Sequence, residues 1–149
     1  MIFSTTVSSY AEIALTKPMV KTLMDEIHLA FDTRDTDTDL YAFSKNGRVF
    51  LRDSSSQNEI IEFTQNEYLN IFRANWHLPN VKYELERACS KILMSKLHNK
   101  ATVIECLMET VERDGAIIET KIIKTYTVEL VDETPKITKL FGSIGVAEF

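Results

Sequence analysis

The 149-residue chain carries a formal charge of −5, with 44% hydrophobic and 26% charged residues, ordinary values for a folded globular chain rather than a disordered one. Without a cationic excess to release phosphate counterions, nucleic-acid binding is disfavoured, and no run approaches the roughly 18 apolar residues of a membrane span. One domain over residues 1–149 is expected, large enough to bury a core without metal or disulfide staples.

Met1 to Thr16 has neither a basic n-region nor an apolar h-region, so no secretory leader is expected. Residues 1–15 are compatible with a short helix around Tyr10–Leu15 or with an arm that packs on a partner. From Thr16, a capping hydroxyl, Pro18 in the first turn and Val20, Leu23, Met24, Ile27, Ala30 and Phe31 at helical spacing predict an amphipathic helix over 17–31. His28 sits at the border of its apolar stripe, a candidate pocket residue because imidazole is easily tuned near neutrality.

The following run, Asp32 to Asp39, invites a calcium reading. With Asp35 at position one of an EF-hand loop, however, position six is Leu40 instead of Gly and position twelve is Asn46 instead of Glu. No metal site is expected. The run reads as a solvated connection with Asx turns and a cap for Leu40–Phe43.

Asn46-Gly47 signals a turn, Arg48–Asp53 a strand, 54–58 a loop and Glu59–Phe63 another extended segment. Thr64-Gln-Asn-Glu67 is a capping box for a helix over Gln65–Ala74. Trp76-His77-Leu78-Pro79 ends that helix, since the residue before proline is biased out of the helical region. Val81, Tyr83 and Leu85 alternate like a strand whereas Ala88–Leu97 fits either period, and a strand over Lys91–Leu97 turning at His98-Asn99 gives the next strand its partner. Cys89 and Cys106 fall in stretches of core or sheet character without CxxC or Cys/His clustering. Free buried thiols in a reducing compartment are expected, and the predicted location is cytoplasmic.

The strongest signal comes last. Three segments rich in β-branched residues, Ala101–Glu112, Ala116–Val131 and Lys136–Val146, include two joined by Asp114-Gly115, a pair suited to the positive-φ positions of a two-residue hairpin. That turn sets the register. Val111/Ile118, Glu109/Thr120, Leu107/Ile122, Glu105/Lys124 and Val103/Tyr126 then share one face, which is assigned to the core or a pocket. Glu105, Glu109, Lys124 and Tyr126 are its polar groups, and a plain cross-strand ion pair would account for Glu105 with Lys124.

This order of elements resembles the nuclear transport factor 2-like superfamily, which includes SnoaL-like polyketide cyclases, ketosteroid isomerase, scytalone dehydratase and a kinase association domain. The similar stretches are Val20–Asp39, Phe43–Asp53, which is similar to the family's Phe-x-x-Asp-x-x-Val-x-x-Asp segment with Asp53 offset by one, Ile60–Phe72, and His98–Ser143 with its Ala-Thr-Val strand, Asp-Gly turn and Lys-Ile strand. The resemblance implies a cone-shaped α+β barrel: a curved mixed, mainly antiparallel sheet wrapped around N-terminal helices and enclosing a pocket. It also implies a homodimer through the outer sheet face, where Ile104, Cys106, Met108, Ile117 and Ile123 are apolar for solvent.

For the isomerase chemistry, the resemblance puts Asp53 near the general-base position and Tyr126 near a donor position, while apolar Ile27 stands where a tyrosine donor is expected. Dehydratase chemistry would need His77 or His98. His28, Trp76, Glu105 and Glu109 are the expected pocket-lining residues. The reading is a protein that binds a small apolar or carbonyl-containing ligand, with acid–base lyase, isomerase or cyclase chemistry, and no cofactor. The alternative is a non-catalytic dimeric binding or assembly domain.

Overall fold

In a computed structural model of the chain, residues 13–54 and 59–149 are described. The helix α1 runs Lys17–Asp32, entered through Thr16, whose hydroxyl accepts from the Met19 amide. Val20, Leu23, Met24, Ile27 and Ala30 form its buried stripe, as the periodicity predicts. The alternatives for residues 1–15 fall almost wholly outside the described residues, although Leu15 is buried and its amide donates to the His98 carbonyl.

After α1, Asp35 caps the short helix α2, Thr36–Ala42, by accepting from the Thr38 amide and hydroxyl. This hydrogen bonding holds the Asp35 carboxyl below its usual range. Strand β1, Phe43–Asp53, begins five residues before the expected start. Asn46-Gly47 does not turn the chain: a register shift between Phe43 and Arg48 absorbs it, and a Cβ at Gly47 would lie 3.0 Å from the Ser44 carbonyl oxygen, so glycine permits the close backbone approach of a bulge. Strand β2, Ile60–Thr64, leads through the complete Thr64/Glu67 capping box into α3, Gln65–Trp76.

The remaining strands are β3, Val81–Met94, β4, Lys100–Arg113, β5, Ala116–Val131, and β6, Thr134–Ile144. The reading of 81–97 is corrected here, because the alternation from Val81 onward belongs to one long strand. Asp114 and Gly115 take φ of 51° and 81°, and β4 and β5 pair in the predicted register, Glu105 opposite Lys124 and Val103 opposite Tyr126. The six strands form one open sheet in the order β2-β1-β6-β5-β4-β3, mixed because β1 and β6 are parallel. The helices cover one face: Leu23 and Ile27 of α1 and Leu69 of α3 share a core with Val103, Val128, Ile137 and Leu140. The α+β cone is therefore present, with its sheet unclosed.

One expectation is overturned. Cys89 and Cys106 are joined in a disulfide, with Cα atoms 4.9 Å apart. A one-residue shift after Arg87 brings Cys89 opposite Cys106, a registration that sequence spacing does not reveal. The free-thiol argument for a reducing compartment falls with it. Among the described residues no helix is long and apolar enough to cross a membrane.

Candidate functional site

Because β4 and β5 pair in the register set by the Asp114-Gly115 turn, Glu105, Leu107, Lys124 and Tyr126 all project beneath the helices. There they meet Ile27, His28 and Phe31 of α1, Asp39 of α2, Tyr68 and Phe72 of α3, and Arg87 of β3, around a cavity of about 30 Å³, room for one or two waters. Glu105 and Lys124 are 1% and 9% exposed, and Asp39 is 6% exposed. Charges so far out of water must be paired or shifted in proton affinity.

Glu105 is paired: its Oε2 lies 2.7 Å from His28 Nε2. Burial by itself would push the Lys124 ammonium down, but Tyr68, Glu105 and Asp39 outweigh it and hold the lysine above its ordinary value. Its Nζ also sits 5.5 Å from the Phe72 ring centroid and 5.7 Å from that of Tyr68, favourable cation–π distances. Burial, reinforced by Tyr68, Glu105 and Asp39, pushes the Tyr126 phenol well above the usual range, so it remains a donor at neutral pH. Burial raises the Asp39 carboxyl to about 6 despite the opposing Lys124 charge. One cavity thus holds two fixed donors, an imidazole–carboxylate pair and a carboxyl that exchanges its proton near neutrality. Such a set supports proton transfer to or from carbon beside a polarised oxygen.

Phe31 and Phe72 of the lining belong to an aromatic cluster. Phe31 makes edge contacts with Phe72 and Trp76 at centroid distances of 5.5 Å each and a tilted contact with Tyr83 at 5.8 Å.

No model of a known protein family matches the chain, and no curated protein matches it. Solved structures do. The beta subunit of benzoate 1,2-dioxygenase from Burkholderia mallei superposes with a TM-score of 0.66 at 11% identity, over 89% of this chain and 92% of that one. A nuclear transport factor 2-like protein from Cytophaga hutchinsonii gives 0.63 at 10% identity, over 88% and 98%. The chain has the nuclear transport factor 2-like fold. A ketosteroid isomerase-like protein from Erwinia carotovora atroseptica, at TM-score 0.58, 9% identity and coverage of 85% and 94%, shares it too. At such identities the likeness extends to fold alone.

Within this nuclear transport factor 2-like fold, the structure brings together Tyr126, His28 and Glu105 of the expected site residues. Asp53 lies elsewhere, exposed at the end of β1 in a surface depression with Glu119, Lys121 and Gly145. Glu109 is half-buried and accepts a 2.6 Å hydrogen bond from the Tyr83 hydroxyl. Burial, together with that bond, raises the phenol of Tyr83. Trp76 and His77 line a separate surface cleft with Arg34 and Arg73, and His98 stays on the turn before β4 with φ of 52°.

Asp39 and Arg87 are the cavity residues that sequence reasoning missed. Asp39 carried a readable signal: it falls one helical turn after the capping Asp35, beside Leu40 and Phe43. Its membership of an aspartate run masked that signal. Arg87 lay in the segment whose period was ambiguous. Among the described residues, no group of three or more His, Cys, Asp or Glu side chains could hold a metal.

Proposed function

We propose that the cavity is an acid–base site for a small apolar carbonyl compound, the chemistry being proton transfer at carbon next to the carbonyl in a lyase, isomerase or cyclase reaction. In this reading Asp39 takes the role that the resemblance assigned to Asp53. The observation that carries it is the placing of a carboxyl of near-neutral proton affinity in one buried cavity with Lys124 and Tyr126. Burying several ionisable groups together costs stability that an apolar filling would not, which favours a chemical role over a purely architectural one.

Asp39 takes the proton, and Lys124 and Tyr126 hold the negative charge that develops on the carbonyl oxygen. His28, oriented by Glu105, supplies a second proton carrier. The cavity as it stands holds one or two waters, so binding of a ketone requires its lining side chains to move apart. The test needs no prior substrate: a panel of cyclic and aryl ketones is incubated with the full chain in D₂O, and exchange of protons next to the carbonyl is followed by NMR. Exchange above the buffer rate for at least one ketone supports the site; none across the panel, with native mass spectrometry showing no co-purified small molecule, overturns it.

The assembly reading is favoured by a separate observation. On the sheet face opposite the helices, Phe50, Phe141 and Thr125 form one cross-strand row and Arg52, Ser143 and Ile123 the next, away from the β3 edge. We propose that this face forms a homodimer. Ile123→Lys, which would place an ammonium in the desolvated centre, should then yield monomer in light scattering, whereas an unchanged particle mass would argue against the interface.

A further inference from the structure

We propose that the Cys89–Cys106 disulfide is a reducible clip whose opening loosens the wall of the cavity through Arg87. The proposal is independent of what the cavity binds. β3 is an edge strand, hydrogen-bonded to β4 alone, and Cys89 is exposed on it whereas Cys106 is buried. The ladder is interrupted between these two supports: Arg87 pairs with Leu107, Cys89 with Cys106, and Ala88 is the extra residue. A bulge on an edge strand is a weak place in a sheet, and the disulfide closes it from the outer face.

On the inner face, the residue just before the bulge holds α1. The last turn of α1 contains no basic residue, so its carbonyls lack a local cation. Arg87 supplies one from β3: its Nη2 is 3.5 Å from the His28 carbonyl oxygen and 3.4 Å from Asp32 Oδ1. A cation at a helix C-terminus is favourable, and here it depends on where the bulge holds Arg87. The second tie on the same turn, His28 to Glu105, runs to the inner strand β4 and does not pass through the bulge.

The chemistry needs a dithiol. Its thiolate attacks the sulfur of Cys89, the more exposed of the two residues, forming a mixed disulfide and releasing Cys106 as a thiolate that takes up a proton. The second thiol of the reagent then displaces Cys89. Two electrons pass to the protein, which gains two thiols, and the reagent leaves as a disulfide. With the clip open, β3 exchanges register around Ala88 and Arg87 leaves α1.

The full chain is treated with dithiothreitol without denaturant, thiols are counted by alkylation and mass spectrometry, and amide hydrogen exchange is compared before and after. Two thiols per chain are expected, with exchange about tenfold faster over 84–92 and 28–32 and unchanged over 136–144. The Cys89→Ser/Cys106→Ser variant should show the same pattern without reductant. In the oxidised protein, Arg87→Gln should speed 28–32 and leave 90–94 as in wild type. Failure to release thiols under native conditions overturns the clip; faster exchange in β3 with 28–32 unmoved overturns the coupling to α1.

Discussion

Replacing Asp39 by Asn should slow ketone proton exchange by roughly 100- to 10,000-fold, the range that a positioned general base contributes. The amide keeps the shape of the carboxyl and loses its ability to take a proton. The same variant should change the pH dependence of stability, which gives a readout that needs no substrate. Asp39 has a folded proton affinity of about 6, raised by burial from its ordinary value of 3.8. The folded chain therefore binds this proton more tightly than the unfolded chain, and the associated stability is fully present below pH 3.8. It is lost as pH rises through 6, by about 3 kcal/mol at 1.36 kcal/mol per unit. Urea unfolding at pH 4 and pH 7.5 should show Asp39→Asn gaining relative to wild type on going to the higher pH. A constant difference at both values would mean that Asp39 titrates normally, and the proton-transfer reading would lose its base. Asp53→Asn, at the exposed end of β1, should leave ketone exchange as in wild type.

The second large effect is expected at Lys124. Its ammonium sits among Glu105, Asp39 and Tyr68, and substitution by Met keeps most of the volume while removing the only lysine that lines the cavity. Two carboxyl groups then lose their shared counter-charge. Breaking a buried ionic set by deleting one partner costs about 3–5 kcal/mol, and the loss should be greater at pH 8 than at pH 5, because Asp39 is largely protonated at the lower value. Chemical denaturation at the two pH values checks this. A loss under about 1 kcal/mol, typical of exposed pairs, would mean that Glu105 and Asp39 are satisfied without Lys124. The cavity would then be better described as a self-sufficient His28–Glu105 pair beside Asp39.

These predictions depend on a register that was already legible. Asp114-Gly115 admits few turn geometries, and a two-residue turn leaves one pairing for the strands on either side, so the sequence alone puts Glu105 opposite Lys124. The stripe of α1 and the Thr64/Glu67 box were readable for the same reason: each is a short-range pattern whose physics is complete within about one or two helical turns. The outer apolar face followed from the same alternation.

Longer-range facts were decided by tertiary structure. Whether Asp39 points to solvent or into the cavity depends on how α2 docks against α1 and α3, and a run of four aspartates has the same composition either way. Asp53 and Tyr126, brought together by a likeness of motif, separate because Asp53 ends β1 exposed in a surface depression while Tyr126 lines the buried cavity. The disulfide needs a one-residue bulge after Arg87, and no local propensity marks Ala88 as the extra residue. Local hydrogen bonding and side-chain alternation thus set the elements, the turns and the inward face of the central hairpin. Which charged groups share the buried space beneath it was set by packing, because desolvation acts on groups that meet only when the helices close over the sheet.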